Sequence, residues 1–251
     1  MVASIIKSTI PKKINLNFRN RLQYYLVKTT NCSHKQAAKS IQEGLVYVDD
    51  VQVFENVSVT IYSKIVLNNE LLSNAHNFVY VAYHKPAGIE CTYNTSIENN
   101  LLDVLPDEFK GLYYVGRLDK ASEGLLLLTN DGFMCKKISD PGSHILKKYW
   151  VQTEKEISPD FKQKMEKGIE LFGKITRPCQ LEIIDAHHFY ISLTEGMNRQ
   201  IRRMCFCLGN YVTQLKRISI GEIELYNLKK SGYRLLTPAE ISYLKNAFNS
   251  V

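Results

Sequence analysis

Apolar side chains occur along this chain in arrangements that predict two β-strands. Residues 125–128 are four consecutive leucines, bounded by Gly124 and by the turn-forming residues 130–132, so they predict a short strand buried on both faces. Residues 78–83 fit a second strand of period two, which ends at the Pro-Ala-Gly turn of residues 86–88. The loop directly before the leucines is therefore expected to lie against the core.

The front of the chain shows a helical pattern instead. Ser33 is a suitable N-cap, and Gln36 follows at the spacing of a capping box. Gly44 suits the left-handed position that ends such a helix. An earlier helix is expected over residues 22–27, and the segment LVYVDDVQV predicts a hairpin that turns at residues 49–50. These elements predict a small folded module rather than a tail.

Positive charge is concentrated in this front segment. The chain has a net charge of +7, and its first acidic residue is Glu43. A concentrated positive field predicts a polyanionic partner, RNA or DNA before a membrane, although a solvated basic tail is the alternative. Lys35 and Lys39 are four residues apart, so one phosphate can meet both on an exposed helix face. The eight basic residues before Glu43 are Lys7, Lys12, Lys13, Arg19, Arg21, Lys28, Lys35 and Lys39.

Composition excludes several other classes of protein. A chain of 251 residues that is 45% hydrophobic predicts a globular protein with one large domain, or a medium domain and a small one. No apolar run approaches the roughly 18 residues of a membrane-spanning helix, and no secretory signal is evident. The six cysteines and six histidines lack metal-ligand spacing, so we expect no metal. Scattered cysteines without an export signal indicate reduced thiols in a cytoplasmic setting, and we expect a monomer.

The segment EGMNRQIRRMCFCLG predicts a helix with an unusual distribution of charge. Asn198 is a suitable N-cap, and apolar residues recur at helical spacing until Gly209. Arg199, Arg202 and Arg203 lie in the first turns, where the positive end of the helix dipole disfavours cations. Because no acidic residue occurs from Gly196 to Gly221, the pattern predicts an anion from elsewhere in the fold or from a ligand. An exposed basic helix face is the alternative.

Residues 16–66 resemble the S-four RNA-binding module. The resemblance has two departures, His34 where arginine is usual and Asp49-Asp50 where Asn-Gly is usual. It implies domain boundaries of 14–67 for the module, 68–77 for a linker and 78–251 for a second domain. It also implies that Arg21, Lys35 and Lys39 contact RNA. The matching residues are Arg21, Leu22, Leu26, Ser33, Ala37, Ile41, Gly44, Val46 and Val48.

The second domain resembles the RNA pseudouridine synthases of the RsuA branch. The resemblance rests on HKPAG, GRLDKASEGLLLLTNDG, KKYWV and GMNRQIRRM, in family order. NRQIRRM and the nearby PCQL are most similar to the large-subunit rRNA members, the RluF-like group. This family implies an α+β fold with a mixed, mainly antiparallel sheet and flanking helices, preceded here by the small α/β module. It implies RNA as the partner, 23S ribosomal RNA before tRNA, and no cofactor.

The resemblance also implies roles for individual residues. Asp119 matches the family nucleophile that attacks the ribose C1′ of a flipped uridine, and carboxylates suit attack at an anomeric carbon. Tyr149 matches the tyrosine that packs against the base and assists proton removal at C5, although its strand position also fits a core tyrosine. Arg202 matches the arginine that pairs with the aspartate, which predicts a separation of ~4 Å or less. The residues expected to hold RNA are Arg117, Asn198 and Arg199.

Two other classes of function stay open at the level of sequence. One is a glycosidase-like hydrolase that uses Asp119 and Glu123 as a carboxylate pair. The other is a catalytically silent RNA-binding or ribosome assembly factor on the same fold. A tRNA-directed synthase is a further variant of the main reading.

Overall fold

The computed structural model describes residues 21–59, 63–73 and 78–249. The chain divides into two compact units, Met1–Phe78 and Val79–Val251. Part of the basic front segment (residues 1–20) and the second half of the predicted linker (residues 74–77) lie outside the described residues.

The first unit packs two helices against a four-stranded sheet. The sheet has the strand order β2-β1-β3-β4, and all its pairings are antiparallel. Its buried core joins both helices to the sheet through residues such as Leu26, Ile41 and Ile65. The elements are α1 (Leu22–Thr30), α2 (His34–Gln42), β1 (Val46–Val48), β2 (Val51–Val53), β3 (Ile65–Leu67) and β4 (Glu70–Ser73).

Local signals in this unit are confirmed by the structure. The Ser33 hydroxyl accepts from the Gln36 amide while the Gln36 side chain accepts from the Ser33 amide, which completes the capping box. Gly44 follows α2 with a φ of +70°. Asp49 and Asp50 have φ values of +53° and +66°, as a two-residue hairpin turn requires, and β1 and β2 pair on either side.

The predicted linker over residues 68–77 is wrong in its first half. Asn68 and Asn69 both adopt left-handed conformations, and they turn the chain so that β4 pairs with β3. Asparagine tolerates this conformation better than most residues, so the pair forms a tight turn rather than a flexible connection. Residues 68–73 therefore belong to the sheet of the first unit.

The second unit is built around one large sheet. Its strand order is β11-β12-β8-β13-β7-β5-β15, with β14 on β13 and β6 on β7. The elements are β5 (Tyr80–Lys85), α3 (Leu101–Val104), β6 (Tyr113–Val115), β7 (Glu123–Thr129), α4 (Gly132–Ser139), β8 (Lys147–Thr153), α5 (Phe161–Lys167), β9 (Glu170–Leu171), β10 (Lys174–Ile175), β11 (Gln180–Ile183), β12 (His188–Leu193), α6 (Gln200–Cys207), β13 (Val212–Ile220), β14 (Ile223–Glu224), β15 (Tyr233–Leu235) and α7 (Pro238–Asn249). β9 and β10 form a separate hairpin.

The fold-class prediction is confirmed. Among the described strands, β13 and β7 run parallel while the other pairings are antiparallel, which gives a mixed, mainly antiparallel sheet. The four leucines of β7 are buried, and β5 and β13 flank the strand in the sheet. In β8 the side chains alternate, so that Tyr149, Val151 and Thr153 share the buried face.

Helices flank this sheet. α4 contacts β6 and α7, α5 contacts β11, and α6 contacts β13. Within residues 21–59, 63–73 and 78–249, no helix combines the length and the apolar character needed to cross a membrane.

Gly124 lies where two strands of the sheet approach each other closely. It lies at the start of β7 with a φ of +111°, opposite Arg217 of β13. A Cβ atom added to Gly124 would lie 2.3 Å from the backbone oxygen of Arg217, where no side chain fits. The parallel pairing of β7 and β13 therefore requires glycine at this position, five residues after Asp119.

Candidate active site

Asp119 lies on a loop that backbone hydrogen bonds fasten to the core. Leu118 is buried, and its amide donates to the Cys91 Sγ at 3.4 Å. The carbonyl of Lys120 accepts from the Gly88 amide at 2.7 Å, and the carbonyl of Asp119 accepts from the Ser122 amide at 2.9 Å. The Asp119 side chain is only partly buried. The loop is thus held against the core, as the sequence predicted, while the Asp119 side chain stays partly exposed.

A buried lysine lies directly under this loop. Lys85 is fully buried, and its Nζ donates to the carbonyls of Pro86 and Ser122, both at 2.8 Å. Burial lowers its pKa, and the neighbouring Cys91, Glu90 and Asp119 oppose that shift. Sequence reasoning missed Lys85 because lysine is rarely buried, although the HKPAG motif contains it.

Arg202 does not form the predicted ion pair. Its Nη1 donates to the carbonyl of Val212 at 2.9 Å, while Nη2 donates to the carbonyl of Ala121 at 3.1 Å and to the Ser122 Oγ at 3.3 Å. Among the residues described, the ion pairs within 4.0 Å do not include one between Arg202 and Asp119. The predicted salt bridge is therefore wrong, because backbone carbonyls occupy the guanidinium. Arg202 instead fastens α6 to the loop that carries Asp119.

The charges of Arg202 and Asp119 nevertheless influence each other. Burial and the nearby Arg199 lower the pKa of Arg202, while Asp119 and Cys205 oppose that shift. Asp119 also acts on the pKa of Lys85, as described above. The carboxylate therefore lies in the field of the buried Lys85 and the partly buried Arg202 without forming an ion pair with Arg202.

The start of α6 differs from the prediction as well. Asn198 is not the N-cap, because Arg203 donates to both its carbonyl and its side-chain oxygen. The helix begins at Gln200, whose side chain accepts from the Met197 amide, and Arg199 occupies the cap position with a φ of +52°. Gln200 also donates to Glu195 at 2.6 Å, which brings one carboxylate near the positive end of the dipole. The predicted apolar stripe is confirmed, since Ile201, Met204 and Cys205 are buried.

Arg217 is a second cation that the sequence did not reveal. It is 2% exposed, and its Nε donates to the carbonyl of Leu125 at 2.7 Å. Its Nη2 is buried without a hydrogen-bond partner in the described part of the chain. Arg217 lies opposite Gly124 on one side and opposite Tyr149 on the other. The only sequence signal was an arginine at a position where the strand pattern calls for a buried side chain.

Tyr149 occupies the edge of the core. It is 8% exposed, and its hydroxyl has no hydrogen-bond partner among the residues that the structure describes. Tyrosine hydroxyls within a core usually find such a partner. The arrangement therefore fits a ring that packs inside the unit while its hydroxyl stays available to a ligand.

The other predicted RNA contacts divide between the two units. Arg117, two residues before Asp119, is exposed, as are Asn198 and Arg199. Three further residues lie in the first unit, so their relation to Asp119 is left open. They are Lys35, which is exposed, Lys39, which is 3.6 Å from Glu43, and Arg21, which donates to the carbonyl of Asn56.

Glu123, the second carboxylate of the glycosidase alternative, forms an ion pair with a lysine. Glu123 is 2.7 Å from the Nζ of Lys230. It lines an open cavity of about 340 Å³ together with Trp150 and Tyr190. Because successive residues of a strand point to opposite faces, Trp150 and this cavity lie on the sheet face away from Tyr149.

Comparison with known proteins extends these observations. The sequence profile described as RNA pseudouridylate synthase matches residues 79–206. The dual-specificity RNA pseudouridine synthase RluF of Escherichia coli K12 is 32% identical over 223 residues, which cover 88% of this chain and 77% of that protein. The RluF protein of Salmonella typhi shows the same identity and coverage.

Two further similarities extend over most of the chain. The ribosomal small subunit pseudouridine synthase A of Vibrio cholerae is 31% identical over 226 residues, covering 88% of this chain and 98% of that protein. A crystal structure described as a pseudouridylate synthase is 30% identical, with a TM-score of 0.63 over 89% of this chain and 99% of the other.

Proposed function

The chain belongs to the RNA pseudouridylate synthase family, in its RsuA branch, and we propose that it isomerises a uridine of 23S ribosomal RNA with Asp119 as the nucleophile. The protein is an isomerase that acts on RNA. The target uridine, the attacking residue and the supporting roles below are the proposed part.

The reaction begins when a uridine leaves its stack and enters the site. A carboxylate oxygen of Asp119 attacks C1′, and the N1–C1′ bond breaks with its electron pair on uracil. The freed uracil turns so that C5 attacks C1′ and displaces the carboxylate. Loss of the C5 proton and protonation of N1 then give the product, with no net change in atoms.

One observation carries this proposal. Asp119 is partly exposed on a rigid loop, and the cations below the loop are bonded to carbonyl oxygens rather than to the carboxylate. An aspartate inside a two-point ion pair has its oxygens occupied, whereas this one is free to attack. The nearby positive charge stabilises the negative charge that develops on the departing uracil.

Arg217 and Tyr149 support the same step. They are neighbours across β13 and β8, and the Nη2 of Arg217 is buried without a hydrogen-bond partner in the described residues. We assign Tyr149 to packing against the flipped base and to removal of the C5 proton. The unbonded Nη2 of Arg217 is available for an anion, either the carboxylate or the uracil oxygen.

The first unit supplies affinity for RNA in this proposal. Its capped helix α2 and the β1–β2 hairpin that follows agree with the S-four pattern, although Asp49-Asp50 replaces the usual Asn-Gly at the turn, and Lys35 is exposed on α2. Lys39 also meets Glu43, but both side chains are largely exposed, so a phosphate can replace the carboxylate at little cost.

Tritium release tests the proposal. Transcripts of 23S rRNA, 16S rRNA and tRNA labelled with [5-³H]uridine are incubated with the purified protein. We expect tritium release from the 23S transcript alone. Release from one of the other transcripts instead would identify that RNA as the substrate. A protein that binds RNA but releases no tritium from any of the three would be the silent assembly factor. Pseudouridine mapping in a deletion strain then identifies the position.

A further inference from the structure

An exposed phenylalanine stands at the tip of the β9–β10 hairpin. Phe172 and Gly173 form its two-residue turn, with φ values of +54° and +73°. Such turns favour Asn-Gly or Asp-Gly, because a bulky side chain is strained in the left-handed conformation. The Phe172 ring is nevertheless 64% exposed, so burial does not offset the strain. A strained and exposed aromatic residue indicates selection for something other than stability.

The hairpin below this ring is firmly anchored. The amide of Ile169 donates to the Thr176 Oγ1, and the amide of Thr176 donates to the carbonyl of Ile169, both at 3.0 Å. Thr176 itself is 2% exposed. The chain therefore presents Phe172 on a rigid support rather than on a mobile loop.

A guanidinium already occupies one side of the ring. The Cζ of Arg203 lies 4.4 Å from the ring centroid of Phe172. Arg203 is itself held in place, because it donates to the carbonyl and the side chain of Asn198. Since the ring is largely exposed, it offers area for stacking of a second flat group.

The charge around this ring favours an anionic partner. Among the described residues, neither Arg199 nor Arg203 has a carboxylate within 4.0 Å. On the hairpin itself, the charges of Glu170 and Lys174 offset each other. Glu195, the acid nearest to the two arginines in the sequence, accepts hydrogen bonds from Gln200 and from the amide of Arg177. An arginine without a carboxylate partner beside an exposed aromatic ring is a combination that binds unpaired RNA, through a phosphate and a stacked base.

A second aromatic residue in this unit provides a comparison. Tyr226 is 65% exposed and also left-handed, with a φ of +48°, and the Cζ of Arg234 lies 5.1 Å from its ring centroid. Arg234, however, is bonded to both oxygens of Glu240. The two sites share strain, exposure and a nearby arginine, but only the Phe172 site retains unmatched charge.

We propose that Phe172, backed by Arg203, is a stacking site for an unpaired base of the RNA substrate. This inference rests on the proposed function, because it assumes that the ligand is the RNA that the enzyme modifies. The site acts in binding and not in the chemical step. The catalytic unit would thus contact the RNA through Phe172, in addition to the RNA contacts proposed for the first unit.

The test compares wild type with Phe172→Asn, Phe172→Tyr and Tyr226→Asn. Binding is measured by fluorescence anisotropy at fixed salt, with a labelled unpaired 20-nucleotide RNA and with the same strand in a duplex. Stability is measured by urea unfolding, and kcat/KM by tritium release from the 23S transcript.

Phe172→Asn should weaken binding of the unpaired RNA and lower kcat/KM about tenfold, within the range that one stacked base supplies. It should leave duplex binding within twofold and raise the urea midpoint, because asparagine relieves the strain. Phe172→Tyr should bind as wild type does. Tyr226→Asn should also raise the midpoint but leave RNA affinity unchanged.

Unchanged binding by Phe172→Asn, or equal loss of unpaired and duplex RNA with a lower urea midpoint, would overturn the inference. Recognition of an acidic protein would also overturn it, and would appear as Phe172-dependent binding of polyglutamate without Phe172-dependent binding of RNA. Failure of the proposed function is a separate result, since wild type itself would then release no tritium.

Discussion

Replacing Gly124 by alanine tests the geometry that holds the site together. The added Cβ would lie 2.3 Å from the oxygen and 2.6 Å from the nitrogen of Arg217, in a backbone with a φ of +111°. A side chain at such a φ costs about 1–3 kcal/mol, and overpacking against backbone costs about 1–3 kcal/mol more. We therefore expect Gly124→Ala to lower the free energy of unfolding by about 4 kcal/mol and the melting temperature by roughly 10 °C.

The assay is urea unfolding of Gly124→Ala beside Gly111→Ala. An added Cβ at Gly111 has no heavy atom within 4 Å, so that variant should stay within about 0.5 kcal/mol of wild type. Below its melting range, Gly124→Ala should also have a reduced kcat, because Ser122 and Arg217 shift with the strand. Equal stability of the two variants would refute the close approach of β7 and β13.

Three further predictions follow from the contacts around the Asp119 loop and from the division of the chain. Arg202→Lys should be about 2 kcal/mol less stable, because one ammonium cannot reach the carbonyls of both Val212 and Ala121. Its kcat should fall by a larger factor than its KM changes, and wild-type kinetics in this variant would contradict the positioning role of Arg202. Burial lowers the pKa of Lys85 below its ordinary 10.5, so the unfolded chain holds more protons between the folded pKa and 10.5, and stability from this group rises with pH across that window. Urea unfolding from pH 7 to 10 should therefore show wild type gaining stability relative to Lys85→Met, and a constant difference would exclude the shift. Deleting residues 1–78 should raise KM for RNA and flatten its salt dependence with kcat retained, whereas loss of kcat at saturating RNA would show that the first unit completes the active site.

Local sequence signals predicted several elements of both units well. The leucines of β7, the capping box of α2 and the Asp-Asp turn each depend on neighbours within a few residues, so the sequence displays them directly. β4 was mistaken for a linker because its four residues follow two asparagines and include polar side chains. The paired left-handed asparagines, which make the turn, were the signal available to correct that interpretation.

The partners of the buried cations were not predictable in the same way. Arg202 was expected to pair with Asp119, because a side-chain anion can be recognised in a sequence and a carbonyl oxygen cannot. Arg217 donates to the carbonyl of Leu125, 92 residues away in the sequence. The parallel pairing of β13 with β7 brings the two residues together, and no local sequence pattern predicts that pairing. Lys85 stood in a recognised motif, but only the fold shows that it is buried beneath the loop.

The chemistry of Asp119 is the central claim, and one substitution tests it most directly. Asp119→Asn keeps the size of the side chain and leaves the backbone bonds of the loop, which involve Leu118, Lys120 and Ser122, in place. Purified Asp119→Asn is assayed for tritium release from [5-³H]uridine-labelled 23S transcript, with its urea midpoint and RNA affinity measured in parallel. We predict that release falls below detection while the urea midpoint stays near that of wild type and RNA affinity holds or rises. Isomerisation by Asp119→Asn at a tenth of the wild-type rate would contradict the account, since Asp119 would then be only a turn residue.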